Sequence, residues 1–495
     1  MQMIIKSKSH RLGLGQQIAY SLGGVSNFFM GNLLAQVAML IFSDGIGISA
    51  WKVGMALAMP RICDAFIDLY IGHVSDSWKG RWGRRRPFMF VGTLTATVTF
   101  ALIWLPTSAW HPTITFWWFL VLAFLFYVAF SLFSIPYMSL GYEVAVDSRE
   151  RTQLNTVRTF MCQLFGLLLP WYYAMCFWNW SALGQEGSLL TRFADLIVSP
   201  EGKTLHPPGY QIVGALFALL MGVCGAAALL CRENPEVKRP EKHDFIKSLR
   251  MAFSNRPFVL LTGALVFAMI GIWTVQGIAT YINIYHVFGG DKSKAGNWTG
   301  IVGSIQTGIS LVMVPILGLL ISRFGAARLM KLFLMISALS FASSYWTYTP
   351  LNPWLQLIPL LIWAFGWTGT MLSMSVMIGD ICDYDEFTSG VRREGIYGAI
   401  NQFITKFGNG LAMLISGLLL SFSGIDKTAS IQPPDAVWVL RVEFAVVPLI
   451  TIILAATIFF FYPLTDRRAD EIRESIKARK SSEIPQADPL QVEGQ

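Results

Sequence analysis

Apolar residues come in long blocks along this chain, divided by short stretches where Lys, Arg, Pro and Gly collect. Blocks of spanning length lie near 17–43, 51–76, 88–107, 115–144, 155–178, 207–231, 256–288, 297–322, 328–349, 353–379, 395–424 and 436–463. A helix rises about 1.5 Å per residue, so about 20 apolar residues cross a hydrocarbon core of roughly 30 Å. The pattern therefore predicts an all-α polytopic membrane protein of about twelve helices. The blocks at 256–288 and 395–424 are interrupted by polar residues and are the least regular of the set.

Basic residues fix an expected orientation. Lys6, Lys8 and Arg11 precede the first block, and alternate connections carry Lys79 with Arg81 and Arg84 to Arg86, then Arg149 and Arg151, Lys238 to Arg250, Arg323 to Lys331, and Arg392 with Arg393. The other connections are nearly free of such clusters, so both termini are expected in the cytoplasm of a cell (inner or plasma) membrane protein. The expected organisation is a six-helix bundle over 1–231, a basic linker over 232–255, a second bundle over 256–465 and a cytoplasmic tail over 466–495. That tail is read as disordered after Lys480, where Ser, Pro, Glu and Gln dominate.

Composition agrees: 54% hydrophobic, 14% charged, mean hydropathy +0.51. A soluble protein is excluded. The net charge of +8 is accounted for by the loops and gives no reason to invoke nucleic acid. Six cysteines fall mostly inside apolar blocks without paired spacing and read as small core residues. The first block is too long for a signal peptide and reads as an uncleaved helix.

The costliest feature is the pair Asp64 and Asp68 inside the second block, four residues apart and so on one helical face. Counted back from Asp76 they lie roughly 18 and 12 Å deep, which brackets the bilayer centre. An ionised aspartate there costs on the order of 3 kcal/mol. Two repelling carboxylates suit a shared proton or a hard cation. The plainer reading is that Arg61, three residues earlier, neutralises Asp64. Asn27, a strong hydrogen-bonding side chain in the first block, is a further candidate for substrate contact.

Beyond the second block, Gly72-x-x-x-Asp76 leads into the arginines at 81 and 84–86, which include Arg84 and Arg85. This stretch resembles the loop between helices two and three of the major facilitator superfamily, where glycine, aspartate and arginines form a cytoplasmic latch. It recurs weakly at Gly318, 246 residues later, with Ser322 in place of the aspartate; such a half-chain repeat is expected of two six-helix halves. Further motifs narrow the resemblance: Arg61-Ile-x-Asp64-Ala-x-x-Asp68, Ile135-Pro136, Arg149-Glu-Arg151, Arg158-x-Phe160, Asp380-Ile-Cys-Asp383, Arg393-Glu-Gly and Lys406-Phe-Gly. Together they resemble the glycoside–pentoside–hexuronide:cation symporter family, the melibiose permease-like group, along essentially the whole chain.

The resemblance implies the major facilitator fold, with twelve transmembrane helices in two six-helix halves. It implies a sugar or glycoside symporter working by alternating access as a monomer, with no cofactor beyond a coupling ion, sodium or proton. Asp64 and Asp68 become the cation-coupling residues, and would hold sodium if that is the ion. Arg158 and Lys406 become cavity residues, with Met138 and Met371 at substrate-flanking positions. Gly72, Asp76, Arg84, Arg85, Arg149, Arg151, Asp380, Asp383 and Arg393 become the latch. Phe28 and Ser134 stand where the family's sugar-binding pattern has carboxylates, and Met138 and Met371 where it has tryptophans. Two cations then face one aspartate pair, which makes an acidic sugar such as a hexuronide an alternative to a neutral glycoside. Rivals are a magnesium-dependent prenyltransferase-like membrane enzyme using the Asp64 pair with the Asp380 cluster, and a drug antiporter.

Overall fold

The structure is a computed structural model that describes residues 13–78, 80, 82–144, 148–178, 207–231, 250–251, 253–390, 394–425 and 432–483. Apolar blocks in lipid satisfy their backbone internally as helices. They do so as α1 (Leu14–Ala38), α2 (Ala50–Ser77), α3 (Arg86–Ile103), α4 (Pro112–Val144), α5 (Ser148–Gly166) and α6 (Pro207–Ala228). The second set is α7 (Arg256–Ile282), α8 (Lys292–Phe324), α9 (Ala326–Thr347), α10 (Leu357–Ser389), α11 (Glu394–Phe422) and α12 (Pro434–Phe460). A thirteenth helix, α13 (Asp466–Glu483), follows the last block. Among the described residues ten helices are long and apolar enough to cross a membrane. Within the twelve, α2 and α5 miss that standard because they carry the charges singled out above.

Because successive spans reverse direction, α1 begins and α12 ends at one end of the molecule, the terminal end. The opposite face is the far end. In the first half α1 packs on α5 and α6, and α4 on α2 and α3; in the second α7 packs on α11 and α12, and α9 on α10 and α12. The halves meet where α2 packs along α11 and where α8 packs on the chain just after α5.

Small residues make the α2–α11 contact possible. A Cβ on Gly54 would lie 2.9 Å from Met413 O, and one on Gly417 2.6 Å from Ala50 O, so the backbones touch there. Trp51 N donates to Ser421 Oγ at 3.0 Å just beyond. The second contact is similar: α5 ends at Gly166, Pro170 sits in a 3-10 turn, and Trp171 Nε1 donates to Ser304 Oγ at 2.8 Å on α8.

Polar contacts also tie the halves at the far end. Asp44, buried in the π-turn that closes α1, accepts from Tyr285 Oη at 2.5 Å and pairs with Lys292 Nζ at 2.8 Å. Tyr281 Oη donates to Met39 O at 3.0 Å. At the terminal end α13 straps the second half to itself. The Asp466 carboxylate accepts from Ala327 N at 2.9 Å and Arg328 N at 3.1 Å, capping α9. Arg473 pairs with Asp380, with Asp383 at 3.5 Å and with Asp470 at 2.9 Å. Burial alone would lower the pKa of that guanidinium, but the carboxylates outweigh it and the net shift is upward.

One sequence expectation changes here. The apolar block at 155 put Arg158 at the fourth residue of a span; in the structure α5 starts at Ser148 and takes in the charged residues, so Arg158 lies about 15 Å along it. The Asp380 cluster was matched to a latch with Arg393; among the described residues Arg473 of α13 pairs with Asp380 and Asp383. Arg393 lies outside the described residues, as do the side chains of Asp76, Arg149 and Arg151, the loop at 179–206 and the chain beyond 483. All six cysteines are free.

Candidate functional site

Asp64 and Asp68 stand one turn apart on α2, just after Pro60, and both turn toward α4 and α11. Pro60, inside α2, lacks an N–H and so leaves the carbonyl four residues before it without its helical partner. Asp64 is fully buried. Lys406 comes across from the other half on α11, one turn beyond the stretch where Ile62 packs on Gly410. Its Nζ lies 2.9 Å from Asp64 Oδ2 and 2.5 Å from Asp68 Oδ2. Ser131 of α4 completes the cluster: its hydroxyl bonds to Asp64 and lies 2.5 Å from Asp68 Oδ1. Arg61 sits 3.4 Å from Asp64 Oδ2, with its guanidinium over the rings of Tyr127 and Phe130.

Two carboxylates are thus faced by one ammonium and one guanidinium, a balanced set in a low-dielectric interior. Lys406 is not the unpaired cation that the sequence suggested, because the packing of α11 on α2 delivers it to both aspartates. The plainer reading of Arg61 also holds in part, since it does face Asp64. Among the described residues no group of three or more His, Cys, Asp or Glu gathers as a metal site. The two aspartates and Ser131 therefore offer a small oxygen set suited to a proton or a hard monovalent ion, without the carboxylate count of a tight divalent site.

Farther toward the far end the halves enclose a cavity of about 540 Å³. Its wall includes the amides of Asn32, Gln36, Gln163, Gln276, Gln306 and Asn409, and the rings of Trp273, Trp363 and Trp367. Among the described residues no charged side chain lines it. Trp363 and Trp367 stack nearly parallel, one turn apart on α10, with centroids 6.3 Å apart. Asn409, one turn from Lys406 on α11, links this wall to the carboxylate cluster.

The other sequence candidates scatter. None of Arg158, Lys406, Asn27, Met138 and Met371 is on that wall. Arg158 Nη1 lies 3.6 Å from Met138 Sδ, and its stem fills the space a Cβ on Gly24 would need. Asn27 is half-buried on α1, and Met371 packs against the core. A Cβ on Gly72 would meet Ile135 at an ordinary 3.7 Å, so close packing does not require a glycine there. Arg85 is buried in the α2–α3 turn and Arg84 partly so.

Sequence reasoning missed Ser131, whose hydroxyl looks like any other in an apolar span. It also missed the amides of the cavity, and Asp44 with Lys292. Glu443, half-buried on α12, was likewise missed although it is the one acidic residue of the block at 436–463; one of its carboxylate oxygens is buried without a hydrogen-bond partner.

Comparison with known proteins adds a family. The family described as MFS/sugar transport protein matches residues 19–466. The glucuronide carrier protein homolog of Escherichia coli (strain K12) is 26% identical over 94% of this chain and 95% of its own length. Sodium-dependent lysophosphatidylcholine symporter 1 of Mus musculus is 21% identical over 95% of this chain and 89% of its own. Among solved structures, a bacterial homolog of the human lysosomal transporter Spinster superposes with a TM-score of 0.65 at 14% identity, over 92% of this chain and 97% of that one. That likeness speaks for the fold alone.

Proposed function

The chain belongs to the MFS/sugar transport protein family of integral membrane transporters, with the major facilitator fold, and from that premise we propose that it imports a neutral glycoside together with a sodium ion or proton. A transporter, not an enzyme, is what that family describes, so the diphosphate enzyme reading falls away. The observation that carries the substrate class is the 540 Å³ cavity walled by amides and tryptophans with no charged side chain among the described residues. Amides donate and accept, matching sugar hydroxyls, and indole faces suit the C–H face of a sugar ring. A carboxylate placed there would meet no cation on the wall.

Coupling follows from the cluster beside the cavity. Ser131 has a single hydroxyl proton and so serves one aspartate at a time, leaving the other contact short of a donor. A proton entering between Asp64 and Asp68 supplies it, and a sodium ion would instead be coordinated by the same oxygens; either weakens the hold of Lys406. Because the aspartates belong to one half and Lys406 to the other, cation binding changes a bond between the halves, which is the bond alternating access has to change.

A thermal-shift screen in detergent tests the substrate class. Neutral glycosides at millimolar concentration are expected to raise the midpoint, by a linkage of about 2.7 kcal/mol at a hundred times Kd, and to do so more strongly with sodium or at lower pH. Uronides are expected to give no shift. The glucuronide relative supports a second reading, an acidic sugar, and stabilisation by uronides with none by neutral glycosides would establish that one instead; stabilisation by a lysophospholipid alone would remove both.

The basic loops support an orientation with both termini cytoplasmic and the far end outside. A membrane-impermeant maleimide applied to intact cells should then label cysteines engineered in 180–205 and miss those in 77–87. The opposite pattern overturns the orientation.

A further inference from the structure

A second cavity, of about 440 Å³, opens where α8 turns into α9 and α12 passes into α13. Its exposed wall carries Arg328 and Lys331, three residues apart on α9 and so on one face of it. Neither has a carboxylate partner among the described residues. The local carboxylate, Asp466, is occupied by the backbone N–H groups of Ala327 and Arg328. Arg467 on the same wall pairs with Glu471 at 3.1 Å and contributes no free charge. Two cationic side chains therefore line a groove whose one local carboxylate, Asp466, is turned to backbone donors, which leaves the wall with an excess of positive charge.

Depth and surroundings say what the groove faces. It lies where α9 begins and α12 ends, so it sits at the level of the lipid headgroups. Lys331 Nζ is 5.1 Å from the centroid of the Phe460 ring, and Phe460 is 71% exposed. Phe324 and Leu332 are exposed beside it. Cations above an exposed aromatic and aliphatic surface complement a molecule with a phosphate at one end and acyl chains at the other.

We propose that this groove binds the phosphodiester headgroup of an anionic phospholipid from the surrounding bilayer, with its chains along Phe324 and Phe460. A zwitterionic lipid is disfavoured because its own ammonium would stand near Arg328 and Lys331, while both oxygens of the one carboxylate on the wall, Asp466, are already engaged by backbone N–H groups. The lipid would bridge α9 and α12 beside the α13 strap, bracing the second half independently of the transport site.

The test uses the full chain, purified in detergent and titrated with mixed micelles of phosphatidylglycerol, with mixed micelles of phosphatidylcholine, or with inorganic phosphate. Phosphatidylglycerol should raise the melting midpoint by about 2 °C more than phosphatidylcholine, and phosphate alone should do nothing. Arg328→Gln/Lys331→Gln should lose that difference, while Arg467→Gln and the charge-keeping Lys331→Arg should retain it. Native mass spectrometry should show one fewer phosphatidylglycerol retained by the double variant, a readout that holds if its melting is altered. Equal shifts from both lipids, an equal shift from phosphate, or an undiminished phosphatidylglycerol effect in the double variant would each overturn the proposal.

Discussion

Asp68→Asn should abolish concentrative uptake, bringing the accumulation ratio to about one, while substrate exchange down its gradient continues. Asp64→Asn should do the same with a larger loss of stability, because Asp64 is fully buried and faces Lys406, Arg61 and Ser131 together. Removing either carboxylate leaves Arg61 and Lys406 against a single negative charge. Breaking a buried pair in this way costs about 3–5 kcal/mol. The double variant Asp68→Asn/Lys406→Gln restores the charge balance, so it should recover most of the lost stability. It should not recover coupling, since the cation's ligand is still missing. Stability assays and accumulation assays run side by side separate the two roles; accumulation in both single variants would make the pair merely structural.

Asp44→Asn should open the far end. The carboxylate is buried at the close of α1 and holds Lys292 at 2.8 Å and Tyr285 at 2.5 Å from the other half, so its loss strands an ammonium that is only 17% exposed. A penalty of about 3 kcal/mol on the state closed at the far end, within the range for broken buried pairs, shifts its population by roughly two orders of magnitude against the open one. The readout is a reporter cysteine at Gln36, on the cavity wall, in a background without the native cysteines. External maleimide should label it at least about tenfold faster in Asp44→Asn and in Lys292→Gln than in the parent. Unchanged labelling in both would mean that the remaining contacts, Gly54–Gly417, Trp171–Ser304 and Tyr281–Met39, hold the far end shut without the Asp44 pair.

What could be read from the sequence was whatever broke the apolar pattern at depth. Asp64 and Asp68 stand out because few reasons keep two carboxylates in a bilayer helix, and their spacing gave their shared face. Which side chains answer them was not readable, because Lys406 lies 338 residues from Asp68 and only helix packing brings it there. Ser131 and the cavity amides were hidden for a different reason. Hydroxyls and amides are tolerated in spans without function, so nothing in the pattern separates the ones that face a cavity. Charged helix starts misled the reading of Arg158, since hydropathy places a span's beginning where the charges stop, whereas α5 begins at Ser148, ten residues before Arg158. Arg473 was missed because a polar tail gives no signal of the carboxylates waiting on α10.

The central claim is that the cation travels through the Asp64–Asp68–Ser131 cluster, and simultaneous flux of substrate and cation tests it most directly. Proteoliposomes holding the wild type should move sodium or protons inward in fixed proportion to labelled glycoside. Proteoliposomes holding Asp68→Asn should move glycoside down its gradient with no accompanying cation. Cation flux still locked to glycoside flux in Asp68→Asn would contradict the account.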